Sequence, residues 1–537
     1  MTLPLDALKG LADCLPVGAC LSDSETLDRY GRSTAFWSTR PLAVVLPTRR
    51  EEVQKIVQVA NQHGLALYPV SQGKNWGYGD ACAPSDHQVI VDLSRMNRIL
   101  EINRTLGYAV IEAGVTQGQL SKVLAEQKTG LWLDATGAGT SASILGNTVE
   151  RGFGHTRYGD HFATTCGMEI VLPTGQILET GFGHYPAAKA RHCFPYGVGP
   201  AFDGLFCQSN YGIITRIAIW LMPQPEAFCA FFFRNSKDDS LPYLVDQLRR
   251  LRMQGILTSS VHIANDLRAF SSRAEYPWKE CGNETRLSTA LRQQLRKKHF
   301  VGAWNGTGAL YGTRRTVRAA FSEVKKALRG NLVLGFNDRS LGVAEKVVGG
   351  LTALGINASA FYGLRIIRPL YGLLKGIPSD DPLKGAFWRC RKNSFINGEI
   401  PSGFNLRDSD AGVVWISPVV PATGENAVEV ERLIAGTFEK HGFDPLITFT
   451  LINERSLTGI VNMAFDRTNA EETRRAAACY DETLSGLIDA GYIPYRTGMP
   501  GFKKLHQYNS PFWELARQIK KTIDPNQVIA PGRYIPS

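Results

Sequence analysis

Through the first 225 residues, short β-branched runs alternate with stretches whose apolar positions repeat at helical spacing. Residues 42–47 (Leu-Ala-Val-Val-Leu-Pro) predict a strand. Residues 50–63 predict a helix, with Val53, Ile56, Val57, Val59 and Ala60 on one face. Strands are expected at 66–68, 89–93 and 108–113, then a helix over 117–126 with Thr116 as its N-cap. Further strands are expected at 169–172, after the turn 173–176, and at 213–221. The pattern is α+β rather than strict βαβ alternation.

The pattern changes near Pro223-Gln224-Pro225. Beyond it, residues 287–299 predict a polar, basic helix and 413–416 a strand, while 398–410, rich in Gly, Pro, Asn and Asp, predicts a loop. Helices at 427–440 and 471–490 flank a strand at 447–451, and one more helix follows residue 511.

At 537 residues the chain exceeds what one core holds, so two or more domains are expected. Hydrophobic content of 44% and charged content of 20% are those of a globular protein. No apolar run reaches membrane-spanning length, residues 1–6 lack a basic region ahead of an apolar core, and the last residues match no retention address. A cytoplasmic protein with no membrane partner is the expectation. Ten scattered cysteines without CxxC spacing predict buried free thiols, not a metal centre or a disulfide framework. The net charge of +11 gathers partly in 292–298 and 389–392, read as solvated faces. No aromatic-interleaved basic stripe accompanies it, so nucleic-acid binding is not expected. The charge can still set up a field that attracts an anionic cofactor or partner.

The most telling stretch is Pro69-Val70-Ser71-Gln72-Gly73-Lys74-Asn75-Trp76-Gly77-Tyr78-Gly79, which leaves a predicted strand with three glycines in seven residues. Glycine tolerates positive φ, so such a loop can aim several backbone N–H groups at one anion. It is neither a Rossmann fingerprint nor a Walker A loop.

That loop is one of eight ordered segments that resemble a known family. The others are Pro47-Thr48-Arg49-Arg50-Glu51-Glu52-Val53, the small-residue run 137–147 (Gly-Ala-Gly-Thr-Ser-Ala-Ser-Ile-Leu-Gly-Asn), and Glu150-Arg151-Gly152 through Tyr158-Gly159-Asp160-His161. They continue with 195–200, 208–215, Pro494-Tyr495-Arg496 and Ile529-Ala530-Pro531-Gly532-Arg533. Together they resemble the vanillyl-alcohol oxidase and 4-cresol dehydrogenase family of FAD-linked oxidoreductases, in the branch that oxidises para-substituted phenols.

The resemblance implies an α+β, two-domain FAD-binding fold with a cap domain over the flavin. Residues 1–225 would begin the FAD-binding domain, 226–495 form the cap, and 496–537 return to the first domain. FAD would be held by Ser71, Gln72, Gly73, Lys74, Asn75, Gly77, Gly137, Gly139, Thr140, Ser141, Ser143, Gly146, Asn147, Gly212, Ile213, Ile214 and Arg533. Tyr78, Tyr495 and Arg496 would bind the substrate's phenolic oxygen as phenolate, and Trp415 would line the ring pocket or serve only as a core residue. The implied reaction is hydride transfer from a 4-alkylphenol or 4-hydroxybenzylic alcohol through a quinone methide. A homodimer is implied, with oxygen or a protein as electron acceptor.

Departures from the family pattern matter as well. Where relatives tether FAD through a cap-domain His or Tyr, this chain has Val413 and Phe404, and the loop 71–79 contains no His. Non-covalent FAD is therefore expected. The loop 137–143 carries no carboxylate, Asp134 lies upstream of it, and the cap positions aligned with relatives' carboxylates are Thr448 and Asn462. Two alternatives remain: the same fold acting on a 2-hydroxy acid or sugar alcohol, since Arg also binds carboxylates, or a flavin-binding protein with little catalysis.

Overall fold

The computed structural model describes residues 5–282, 284–353, 360–392, 395–396, 398–401, 403–508 and 510–536. The first sheet runs Cys20–Leu21, Ala43–Val45, Val89–Asp92, Leu67–Val70 in spatial order, its last three strands parallel. The helix Arg50–His63 makes the crossover, burying Val53, Ile56, Val57 and Ala60, and ends at Gly64 in the left-handed region. An antiparallel sheet follows in the order Ile99–Asn103, Tyr108–Glu112, Ile213–Trp220, Thr165–Val171, Ile177–Glu179. Both sheets share one core, which residues 516–535 rejoin through Ala516, Val528, Ile529 and Ile535.

The third sheet is ordered Leu332–Phe336, Ala227–Asn235, Trp304–Gly312, Val261–Asn265, Leu446–Leu451, Ser456–Asp466, Ala411–Ile416, with Val419–Pro421 beside Ser456–Asp466. Helices Leu241–Met253, Gly424–Lys440 and Ala470–Asp489 bury Leu244, Leu248, Val430, Ile434, Ala476 and Leu484 against it. The α+β architecture agrees with the pattern expected from the sequence.

Helices 50–63 and 117–126 fall where their periodicity placed them, and the Thr116 side chain accepts from Gln119 N at the cap. Three long strands, Ala227–Asn235, Trp304–Gly312 and Ser456–Asp466, escaped the pattern, and Trp304–Gly312 shows one reason. Cβ atoms at Gly306 and Gly308 would lie 2.1 and 2.6 Å from the rings of Phe233 and Phe231, so those glycines make room for the neighbouring strand's aromatics. This leaves a strand of low β-propensity.

The basic clusters are not merely solvated. Arg292 and Arg296 both pair with the buried Asp266, and Arg389 is itself buried against Glu472. All ten cysteines are free. Among the described residues no helix is long and apolar enough to cross a membrane. Ser402 of the expected loop 398–410, and residues 1–4 and 537 that bear on targeting, lie outside the described residues.

Candidate active site

The glycine loop leaves the carboxyl end of the parallel strand Leu67–Val70, the end at which open α/β sheets bind ligands. Gly73 and Gly77 hold φ of 60° and 74°, and Asn75 O accepts from Tyr78 N and Asp80 N, each at 3.0 Å. A Cβ on Gly77 would lie 2.2 Å from Trp415 Cδ1, so only glycine lets the loop touch the third sheet there. The second loop meets the first directly: Lys74 Nζ donates to Ser141 Oγ at 2.5 Å, and a Cβ on Gly146 would lie 2.5 Å from Ser71 Oγ. Ser143 caps the short helix Ile144–Val149 through Gly146 N.

These loops wall a cavity of about 390 Å³. Ser71, Gln72, Gly73, Lys74, Asn75, Tyr78, Gly137, Ser143, Gly146 and Asn147 line it, as do Trp415, Tyr495, Arg496 and Arg533. Gly77, Gly139, Thr140 and Ser141 sit behind that wall, where Thr140 bonds Asp380. Gly212, Ile213 and Ile214 are not among the residues that line this cavity. Ile213 and Ile214 are buried in register with Val171 and Ile170, and a Cβ on Gly212 would strike Ile170 Cγ2. The adjoining Asn210 instead fastens the returning tail, donating to Ala530 O at 3.1 Å.

The three residues expected to bind a phenolic oxygen come together. The Arg496 guanidinium lies 4.2 Å from the Tyr78 ring centroid, and Tyr78 and Tyr495 interact through their side chains. Tyr78 Oη shares a 2.5 Å hydrogen bond with Ser417 Oγ. Burial pushes both phenols up, outweighing the opposing charge of Arg496, so both remain O–H donors at neutral pH. Arg496 is oriented by Asn75 Oδ1 and by Glu150, whose Oε2 lies 3.5 Å from its Nε. Glu150 also accepts from Arg533 and, at 2.7 Å, from Tyr534 Oη. Ser417 and Glu150 were not singled out as site residues in the sequence, although Glu150 opens one of the matching segments.

At its other end the cavity is lined by His155, His262, Arg268, Leu370 and Thr448, and of these only Thr448 figured in the sequence reading. The imidazoles of His155 and His262 lie against each other with centroids 4.4 Å apart and ring planes tilted by 42°. His262 Nδ1 meets Thr450 Oγ1 at 3.0 Å, while His155 Nδ1 and His262 Nε2 are buried without hydrogen-bond partners among the described residues. Burial pulls His155 down to about 4 and His262 well below its ordinary value, so both are neutral and weakly basic at pH 7. Asp134 is spoken for by His161 and Thr156, each at 2.6 Å.

Comparison with known proteins places the chain in a family. Residues 41–181 match the family described as FAD binding domain. The chain is 34% identical over 540 residues to 1'-carboxy-chondrochloren decarboxylase of Chondromyces crocatus, covering 99% of this chain and 98% of that protein. It is 32% identical over 502 residues to the 4-cresol dehydrogenase [hydroxylating] flavoprotein subunit of Pseudomonas putida, covering 92% and 87%. The crystal structure of p-cresol methylhydroxylase with substrate bound superposes with a TM-score of 0.87 at 30% identity, covering 98% and 96%.

The chain belongs to the vanillyl-alcohol oxidase and 4-cresol dehydrogenase family. It is an FAD-dependent oxidoreductase. The residues present fit the cofactor: two joined glycine loops form a cradle that a Cβ at Gly146 would fill, and Lys74 and Arg533 supply positive charge on its wall. At the two positions where the resemblance would place a tether the chain carries hydrocarbon side chains. Val413 lines the cavity, and Phe404 packs in an aromatic cluster with Phe387 and Phe395. Trp415 is half-buried on the cavity wall, and its cross-strand neighbour Asn462 carries a buried Oδ1 with no hydrogen-bond partner among the described residues.

Proposed function

We propose that the enzyme oxidises a para-substituted phenol, a 4-alkylphenol or 4-hydroxybenzylic alcohol, by removing hydride from the benzylic carbon. The observation that carries this reading is the convergence of Tyr78, Tyr495 and Arg496 on one cavity wall. Two O–H donors and a permanent cation lower the pKa of a bound phenol and hold it as phenolate. The phenolate releases electron density through the ring as hydride leaves, becoming a neutral quinone methide. FAD, held non-covalently, supplies the hydride acceptor. Glu150 keeps the Arg496 guanidinium aimed, and the interactions that strengthen as charge shifts are the ones that accelerate the step.

The fate of the quinone methide follows from the cap-side wall. Val413, Trp415, Thr448, Thr450, Ile460 and Asn462 line it without a carboxylate, and both histidines there are weak bases. This favours a second outcome beside water addition, in line with the name of the Chondromyces relative. When the substrate carries a carboxylate on the carbon next to the benzylic one, CO2 departs, its bonding electron pair refills the quinone methide, and a 4-hydroxystyrene phenolate forms. That step needs no base.

Anaerobic mixing with 4-ethylphenol or vanillyl alcohol tests the phenol reading through bleaching of the flavin band; a spectrum unmoved by every para-substituted phenol overturns it. Flavin left in the supernatant after acid precipitation is the result expected of a non-covalent cofactor. The proposed homodimer is read by light scattering, and the choice of oxygen or a protein as acceptor by reoxidation in air.

A further inference from the structure

A second chamber of about 450 Å³ adjoins the first and shares His155, His262, Arg268, Leu370 and Thr448 with it. Its outer rim carries Phe300, Leu332 and Leu334, which are 44%, 41% and 40% exposed, so it leads from the surface to the candidate active site. Between the ends its wall is largely apolar, with Phe232, Phe336 and Ile367 among the lining residues.

Three arginines interrupt this wall: Arg234, Arg268 and Arg273. Among the described residues that line the chamber there is no Asp or Glu. Some buried arginines elsewhere in the protein have carboxylate partners, as Arg389 has Glu472 and Arg296 has Asp266, while Arg252 and Arg467 are held by backbone carbonyls away from either cavity wall. Here the neighbours are neutral. Arg268 Nη1 donates to the hydroxyls of Ser271 and Ser272, at 3.1 and 3.2 Å. Arg273 Nη1 donates to His299 O, and its buried Nε has no hydrogen-bond partner among the described residues. Arg234 bonds Phe300 O and lies over the Phe300 ring.

Unpaired charge in an apolar wall is costly, and the cost is relieved by a ligand of opposite sign. Burial pulls Arg268 down to about 10, and burial together with the nearby charge of Arg234 does the same to Arg273, which still leaves both cationic at neutral pH. With neutral histidines beside it, Arg268 is the cation that both cavities share.

We propose that Arg268 binds a carboxylate carried on the side chain of the substrate, and that the arginine-lined chamber admits this anionic molecule and holds the apolar remainder of it. The proposal names the substrate class within the phenol reading and rests on it: a phenol whose para side chain bears a carboxylate. A guanidinium suits this task because its fork matches the two carboxylate oxygens.

The test uses the FAD-loaded enzyme and a matched pair of phenols, 3-(4-hydroxyphenyl)propanoate and 4-propylphenol, with dissociation constants taken from anaerobic flavin bleaching. The expected result is that the carboxylate binds about tenfold or more tighter than the neutral phenol, and that Arg268→Gln collapses this ratio by roughly the same factor. Arg268→Lys, which keeps the charge, is expected to retain part of it. A wild-type enzyme that does not prefer the carboxylate, or an Arg268→Gln variant with the ratio intact, overturns the proposal. A third ligand separates this outcome from failure of the phenol reading: 3-phenylpropanoate lacks the phenolic hydroxyl and cannot be oxidised through a phenolate. It is expected to raise the Tm of the wild type and not that of Arg268→Gln; equal shifts in the two, or none in either, also overturn the proposal.

Discussion

At one end of the cavity Arg496 is enclosed by Asn75, Glu150 and the Tyr78 ring; at the other, Arg268 meets two serine hydroxyls and no carboxylate among the described residues. The first guanidinium is fixed before any ligand arrives, as an electrostatic device for a developing charge must be. The second has its charge unspent. In the proposal, paired and unpaired cations in one continuous space serve different ends: the first serves the phenolic ring, the second the anionic group on its side chain.

The strongest way to break this contrast is to remove the enclosed cation. Arg496→Ala is expected to lower kcat/KM for any phenol by about 10²–10³-fold, measured as the anaerobic rate of flavin reduction. A loss no larger than that caused by an uninvolved surface arginine would place the phenolate elsewhere. The next effect concerns how the enclosed end is assembled. Gly77→Ala forces a Cβ towards the Trp415 indole at a φ of 74°, at a cost of roughly 3 kcal/mol. Lower Tm and lower flavin occupancy are the expected readouts.

The smallest effect sharpens the open end. Folded His155 is held down to about 4, whereas the unfolded chain takes up a proton near 6.5. Its neutral form therefore contributes fully above pH 6.5, and the contribution is lost as pH falls through that value towards 4. Between pH 7 and 5 the wild type is expected to lose about 2 kcal/mol from this group. His155→Asn flattens that part of the profile, as read from urea unfolding at the two pH values.

The enclosed end was legible in the sequence and the open end was not. Tyr78 and the pair Tyr495-Arg496 sit within contiguous segments that carry a family pattern, so each is marked by its neighbours. His155, His262 and Arg268 are single residues without such a frame. Sheet register brings His262 opposite Thr450 and Ala264 opposite Thr448, and no local signal encodes that pairing. The same holds for the fold. Helix 50–63 announces itself through one apolar face and a glycine stop, whereas Trp304–Gly312 owes its place to glycines that make room for another strand's phenylalanines. A matching segment marks kinship rather than position on a wall: Ile213 and Ile214 pack the core that supports the cavity.

The strand that launches the glycine loop is completed from far along the chain. Leu67 N donates to Val528 O and Leu67 O accepts from Ala530 N, both at 2.7 Å. Lys520 locks that returning segment through Asn210 O, Ile529 O and Asp524. During synthesis the ribosome delivers this segment only after the whole third sheet has emerged. Until then the strand Leu67–Val70 keeps an open edge, and the cavity lacks Tyr495, Arg496 and Arg533. A chain cut short after the third sheet would lack these contacts, and it is expected to retain no flavin, as read from its absorption spectrum after purification.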